Sequence, residues 1–225
     1  MHIEPGVVNG AKIVLSYATA AGAGLYAVKL AADTMRKQGV ASLAARTAVT
    51  TAAVFSFFEI LPHVSVGVSE VHFIFGSTLF LIFGAAPAAL GLALGLFLQG
   101  VFFVPTDLPQ YGMNVTTILV PLFAIAALSQ RVIPRDTAYV DLDYRQALSL
   151  SSAYQAGIVA WVAFWAIYGR GLDADNLSSI FAFAGSYAMV IVVEPLVDLG
   201  VLALAKSMRG IFRGGWVTPR LHHAA

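Results

Sequence analysis

No cysteine occurs anywhere in the chain. That excludes a disulfide frame, a thiolate nucleophile and a cysteine-type zinc centre. Any metal held here must use nitrogen or oxygen ligands. Charge is scarce as well: 11% of residues are Asp, Glu, Lys or Arg, against about 25% in soluble domains. A formal net charge of +1 gives no reason to expect a nucleic-acid partner. No Gly-x-x-x-x-Gly-Lys-Ser/Thr segment is present, so the chain has no phosphate cradle and is not itself an ATPase. No His-Glu-x-x-His pair is present either, which removes the commonest helical metalloprotease centre. A retinal protein needs a lysine deep in its last helix, and Lys206 stands at the end of that segment.

What remains is apolar. Hydrophobic residues make up 59% of the chain, and its mean hydropathy is +0.80. A spanning helix needs roughly 20 apolar residues. Candidate spans run over Val7–Ala32, Leu43–Leu61, Met113–Leu128, Ala147–Tyr168 and Leu177–Ala205. The stretch Val71–Val104 has 34 residues and no Lys, Arg, Asp or Glu. One helix of that length would be about 51 Å long, too long for one crossing. Gly84-Ala85-Ala86-Pro87 offers a turn in its middle.

Basic residues decide the count, because cytoplasmic loops are enriched in them. With two spans in Val71–Val104, three clusters fall on one side: Arg36, Lys37 and Arg46; Arg131, Arg135 and Arg145; Lys206, Arg209, Arg213 and Arg220. Lys12 and Arg170 alone fall on the other. The expected fold is therefore an all-α bundle of seven transmembrane helices, N-terminus outside and C-terminus in the cytoplasm. Residues 1–210 form one membrane domain and 211–225 a cytoplasmic tail, in which His222 and His223 read as solvated. The start is not read as a cleaved leader. Its first eleven residues hold Glu4 and Pro5 but no Lys or Arg, and the apolar run continues well beyond a plausible cleavage point.

The chain begins Met1-His2-Ile3-Glu4-Pro5-Gly6. The amine of residue 1 and the backbone nitrogen of His2 can close a five-membered ring on a metal. That nitrogen and His2 Nδ1 close a six-membered ring. Three nitrogens then lie in one plane, an arrangement suited to Ni(II) and Cu(II). One further imidazole would complete the square. His63 and His72 are on the same side, and each has an ordinary reading as a loop or helix-end histidine. Glu194 and Asp198 are four apart and share a face of the last helix. Carboxylates inside a span are functional candidates, though a packed polar stripe reads equally well.

These residues together resemble a family. The opening MHIEPG is similar to the MHIxxG start of the CbiM/NikM family, the membrane-embedded substrate-binding subunits of cobalt and nickel energy-coupling-factor ABC transporters. His72 follows a loop of the family's kind and precedes Phe83-Gly84 at the family's spacing. Gln99 is followed fifteen residues later by Asn114, again as in the family. The resemblance covers roughly residues 1–130. The chain departs from the pattern after His72, where Phe73-Ile74-Phe75-Gly76 replaces Pro-Thr-Gly. It also departs at Glu70, where a Ser is usual, and at Pro105-Thr106, where the family has His-Gly.

The resemblance implies a transporter subunit without hydrolytic activity or organic cofactor. It implies Ni(II) or Co(II) as cargo, held by Met1, His2 and His72, with Glu70 and Asn114 as supporting groups. Asn114 also reads as an N-cap for a helix beginning near Val115. Expected partners are a transmembrane coupling permease, ABC ATPase subunits and a small auxiliary membrane subunit, in the plasma (inner) membrane of a prokaryote. The competing expectation is a metal-free assembly or structural subunit of a transport complex.

Overall fold

The computed structural model describes residues 2–208 and 215–224. Among them are seven α-helices and one β-hairpin: α1 Val14–Gln38, α2 Val40–Ile60, β1 Val64–Val66, β2 Ser69–Val71, α3 Gly76–Phe83, α4 Ala85–Phe102, α5 Tyr111–Val132, α6 Tyr144–Arg170 and α7 Ala174–Ser207. All but α3 are long and apolar enough to cross a membrane, six helices in all. Two helices, α6 and α7, begin with side-chain caps. Asp143 and Gln146 form a reciprocal capping box on α6, and the Asp173 carboxylate accepts from Asn176 N at the start of α7. Each supplies an acceptor for N–H groups that the first helical turn leaves free.

The charge-free stretch divides where expected but not as expected. Gly84 is the break: its φ of 89° is a conformation only glycine adopts freely, and its N–H closes α3 on Phe80 O. Pro87 makes no turn. It lies within the first turn of α4, where a missing N–H costs nothing. The part before Gly84 is not a full helix. Residues 72–75 are non-helical and α3 has only 8 residues, about 12 Å of helix.

The helix ends sort into two groups by contact. At one end, residues 2–4 lie along β2, Tyr17 donates to Pro109 O, and Lys12 Nζ reaches Tyr168 O and Gly169 O. This end collects the N-terminus, the hairpin, the α4–α5 connection and the α6–α7 turn. At the opposite end, Arg46 donates to Phe83 O and Ser42 O, and contacts Gln38. Lys206 pairs with Asp141 there at 2.6 Å. The segment from His72 to Phe83 thus runs from the first end to the second, although most of a helix is missing from it.

Residues 215–224 dock at the second end. Thr218 N donates to Ile82 O at 2.8 Å, Ser42 Oγ donates to Gly215 O at 2.7 Å, and Leu221 is fully buried. The Arg220 guanidinium lies over the Tyr139 ring, 5.1 Å from its centroid. His222 is accordingly half-buried, not the solvated residue that sequence suggested. Residues 209–214 and 225 of the expected tail lie outside the described residues.

Candidate metal centre

The first end is built by adding the N-terminus to the hairpin. Gly67, with φ 63°, makes the two-residue turn between β1 and β2, since such turns need a left-handed residue at their first position. Residues 2–4 then pair with β2 on its free edge. Glu70 N donates to His2 O at 3.0 Å, Glu4 N to Val68 O at 3.1 Å, and Ile3 faces Ser69 in antiparallel register. Ser69 Oγ also donates to His2 O at 2.9 Å. From α5, Asn114 Oδ1 accepts from Ile3 N at 3.0 Å. Backbone hydrogen bonds, not side-chain packing alone, therefore fix where His2 sits.

That pairing brings His2 and His72 together. Both are buried, and their ring centroids are 5.6 Å apart. One potential ligand atom each from His2, Glu70 and His72 lies within 4.8 Å of the others. Phe58 packs edge-on against both rings, and His63 stacks on His72 at 4.9 Å with an interplanar angle of 13°. His63 thus covers the site with its ring face. Met1, the other residue expected in this set, lies outside the described residues.

The protonation of the His72–Glu70 pair follows from burial. Burial pushes the His72 imidazolium down to about 3, so the ring is neutral near pH 7. Burial by itself raises the Glu70 carboxyl, but the hydrogen bond to His72 and the nearby His2 outweigh it and bring it down to about 2. A neutral imidazole beside an ionised carboxylate has one arrangement: Nε2–H donates to Glu70 Oε2, 2.8 Å away. The lone pair is then on Nδ1, which is buried and has no hydrogen-bond partner among the described residues. A carboxylate that fixes one ring nitrogen and leaves the other for a metal is the usual support for a histidine ligand.

His2 carries a contact that sequence reasoning missed. Its Nδ1 is 2.6 Å from Asp107 Oδ2, and both side chains are buried. This is the nitrogen that the six-membered chelate ring would use, so ring closure requires Asp107 to give way. The only available signal was weak: Asp107 is the single carboxylate in the proline-bracketed loop Pro105–Gly112, on the same side as His2 and His72. A cavity of about 10 Å³ adjoins His2, Asp107 and Asn114, the space of roughly one water molecule. It has room for a stripped ion but not for a hydrated one. The far larger groove between α2 and α4, about 730 Å³, is lined by apolar chains such as Leu43, Phe55 and Leu94 and contains none of these residues.

Asn114 is not the helix cap. α5 begins at Tyr111, and Asn114 is buried in its first turn with its side chain spent on Ile3 N. Glu194 and Asp198 lie inside the bundle and belong to a different cluster.

Comparison with known proteins bears on this arrangement. The family model described as "CbiM: Cobalt uptake substrate-specific transmembrane region" matches residues 2–210. No curated relative matches the chain. Two solved structures share the fold. One, described as a truncated transition metal transporter, is 18% identical with a TM-score of 0.63, covering 93% of this chain and 98% of that one. The other, described as a transition metal transporter, is 18% identical with a TM-score of 0.64, covering 93% and 92%.

Proposed function

Since the chain belongs to the CbiM family of cobalt-uptake transmembrane proteins, we propose that it captures a divalent transition-metal ion at the end of the bundle bearing His2 and His72. It is a multi-pass membrane component of a metal transporter. Its finer role is that of a substrate-binding subunit in an energy-coupling-factor assembly, with permease and ATPase activity on separate chains. The cargo is Ni(II) or Co(II). The observation that carries this reading is the buried meeting of His2, Glu70 and His72, produced by residues 70 positions apart in sequence.

The ligands are the His2 nitrogens and His72 Nδ1, completed by the amine of Met1 where that residue is the amino terminus. Four nitrogens in a plane favour Ni(II) and Co(II) over Mg(II) or Ca(II), which prefer oxygen. Glu70 orients His72, Asn114 anchors the strand that carries His2, and Asp107 holds His2 until the metal arrives. Whole-protein metal analysis after equilibration with Co(II) or Ni(II) is expected to find one tightly held ion at this end. A purified, monodisperse chain that retains none would instead favour a metal-free assembly subunit.

Orientation follows from charge. Arg36, Lys37, Arg135, Arg145 and Lys206 lie at the end opposite the histidines, and Lys12 and Arg170 at the histidine end. Basic residues favour the cytoplasmic face, so the histidine end faces outward, at the plasma membrane of a prokaryote. The run from His72 to Phe83 supplies the seventh crossing. Its four-residue non-helical lead and eight-residue helix reach at most roughly 25–26 Å, close to the thickness of the hydrocarbon core. In spheroplasts, a cysteine at Ser65 should react with a membrane-impermeant maleimide and one at Ser207 should not. The reverse pattern would invert the orientation.

A further inference from the structure

The broken crossing places its helix start against two buried acids. Glu194 and Asp198 are both fully buried, one turn apart on α7. Phe75 N donates to Glu194 Oε1 at 2.9 Å, and Ser77 Oγ donates to Asp198 Oδ2 at 2.8 Å. Thr78 Oγ1 donates to Asp198 Oδ1, and Ser151 Oγ of α6 reaches Glu194 Oε2 at 3.3 Å. Each of the four carboxylate oxygens therefore faces a group able to donate to it, so the cluster can hold both acids in the ionised form. The remaining neighbours of Glu194 are Tyr154, Tyr187 and Gln155. None of these groups carries a positive charge.

One reading is that the acids simply cap α3. Charge argues against that as the whole account. A helix N-terminus offers roughly +0.5 of an elementary charge, and a helix this short offers no more. Two ionised carboxylates would keep more than one uncompensated negative charge inside the membrane, which is costly unless a cation joins them. A second observation points to a ligand. Gln155 is fully buried, its amide nitrogen faces the Glu194 carboxylate, and its Oε1 has no hydrogen-bond partner among the described residues. Buried amides are ordinarily satisfied. Phe75, which leads into the cluster, is held at a φ of 53°, the one left-handed non-glycine position described, and such strain persists only where its surroundings enforce it.

We propose that Glu194, Asp198, Ser151, Gln155 and the hydroxyls of Ser77 and Thr78 form a second site, for a divalent cation held by oxygen. The cation supplies the missing charge, and Gln155 Oε1 gains a partner. Carboxylates, hydroxyls and an amide carbonyl suit hard cations and bind Co(II) more weakly than imidazole does. The site lies directly below the histidines along the chain: two residues separate His72 from Phe75, and Tyr187, which neighbours Glu194, reaches His72 O at 3.5 Å. Its occupant is either the cargo in transit, which rests on the function proposed above, or a resident ion such as Mg(II), which does not.

The test separates the two sites. His72→Ala disables the upper one and leaves α7 intact. The full chain carrying His72→Ala, equilibrated in detergent with Co(II) or with Mg(II), is expected to retain one cation per chain. The added Glu194→Gln and Asp198→Asn changes should remove it, along with any cation-dependent rise in melting temperature. Retention of Co(II) alone marks a transit site, and retention of Mg(II) alone a resident ion; both support the proposal. If the acid-neutralised chain is not monodisperse, Gln155→Leu carries the test, since it deletes an oxygen without touching charge. It should cut cation affinity about tenfold. Absence of any cation from the His72→Ala chain, or an unchanged affinity in Gln155→Leu, overturns the second site. Neither result bears on tight binding by the unmodified chain, on which the proposed function stands.

Discussion

A chain extended by a single glycine ahead of Met1 is expected to bind Co(II) or Ni(II) at least about 100-fold more weakly than the unmodified chain. Loss of a supporting group around a metal costs roughly 10–100-fold, and this change removes a direct ligand while leaving every supporting group in place. The amine that closes the five-membered ring becomes an amide, which gives up its proton far less readily than an amine of pKa about 7.7–8.0. The backbone pairing of His2 with Glu70 confines the change: the histidine stays where it is, and only the amine is lost. His72→Ala should cost as much, because it deletes the one imidazole nitrogen left unpaired by Glu70. Asn114→Ala should fall in the 10–100-fold range, since it frees the strand and not the ligand. His63→Ala should change affinity by less than about tenfold, because that ring offers His72 its face and not a nitrogen. Isothermal titration of the four purified variants measures all of these. Equal affinity in the extended and unmodified chains would remove the amine from the site.

Gly67→Ala is expected to damage both stability and metal binding. The turn holds residue 67 at a φ of 63°, and a Cβ there would lie 2.1 Å from Ser179 O, a backbone atom of α7. The left-handed conformation alone costs an alanine about 1–2 kcal/mol. Overlap with a backbone carbonyl adds to it, because a helix in a packed bundle cannot step aside as a flexible side chain can. A total of about 2–4 kcal/mol corresponds to roughly 4–16 °C of melting temperature for a chain of this size. The hairpin moves away from α7 to relieve the contact, and it carries Glu70 and His72 with it. Metal affinity should therefore fall as well, although residue 67 touches no ligand. Gly185→Ala, in the middle of α7 with nothing within 4 Å of its Cβ position, is the matched control. It should leave both quantities unchanged or raise stability slightly through better helix propensity. A Gly67→Ala chain with an unaltered melting temperature would show that the hairpin does not press on α7.

The parts of this protein that sequence made legible are those set by each residue's own preference for lipid or water. Five of the six long helices could be placed to within several residues, because some twenty apolar residues in a row have few alternatives. The break in the charge-free stretch could be placed at Gly84–Pro87, although Pro87, the residue that suggested it, lies inside α4 and Gly84 makes the break. Which loops share an end was suggested by where Arg and Lys stand, and that grouped His2 and His72 at one end before any contact was known. The extent of α3 could not be read this way. Phe73-Ile74-Phe75 is apolar whether it is helical or extended, and what unwinds it is Glu194, 119 positions away, accepting from Phe75 N. Asp107 escaped for a similar reason: nothing in a short polar loop says which carboxylate will turn inward toward His2.

Composition, periodicity and charge placement thus determined that this is a helical membrane bundle with two histidines at one face. Only the tertiary structure decided that residues 2–4 become a strand of the hairpin, that Glu70 leaves His72 one free nitrogen, and that Asp107 stands at His2 Nδ1. It also decided that the stretch before Gly84 forms only a short helix, which starts over two buried acids. The division is physical. Hydropathy is a property of single residues summed along the chain, whereas a binding site is made of hydrogen bonds and charges between residues brought together from positions tens to more than a hundred apart.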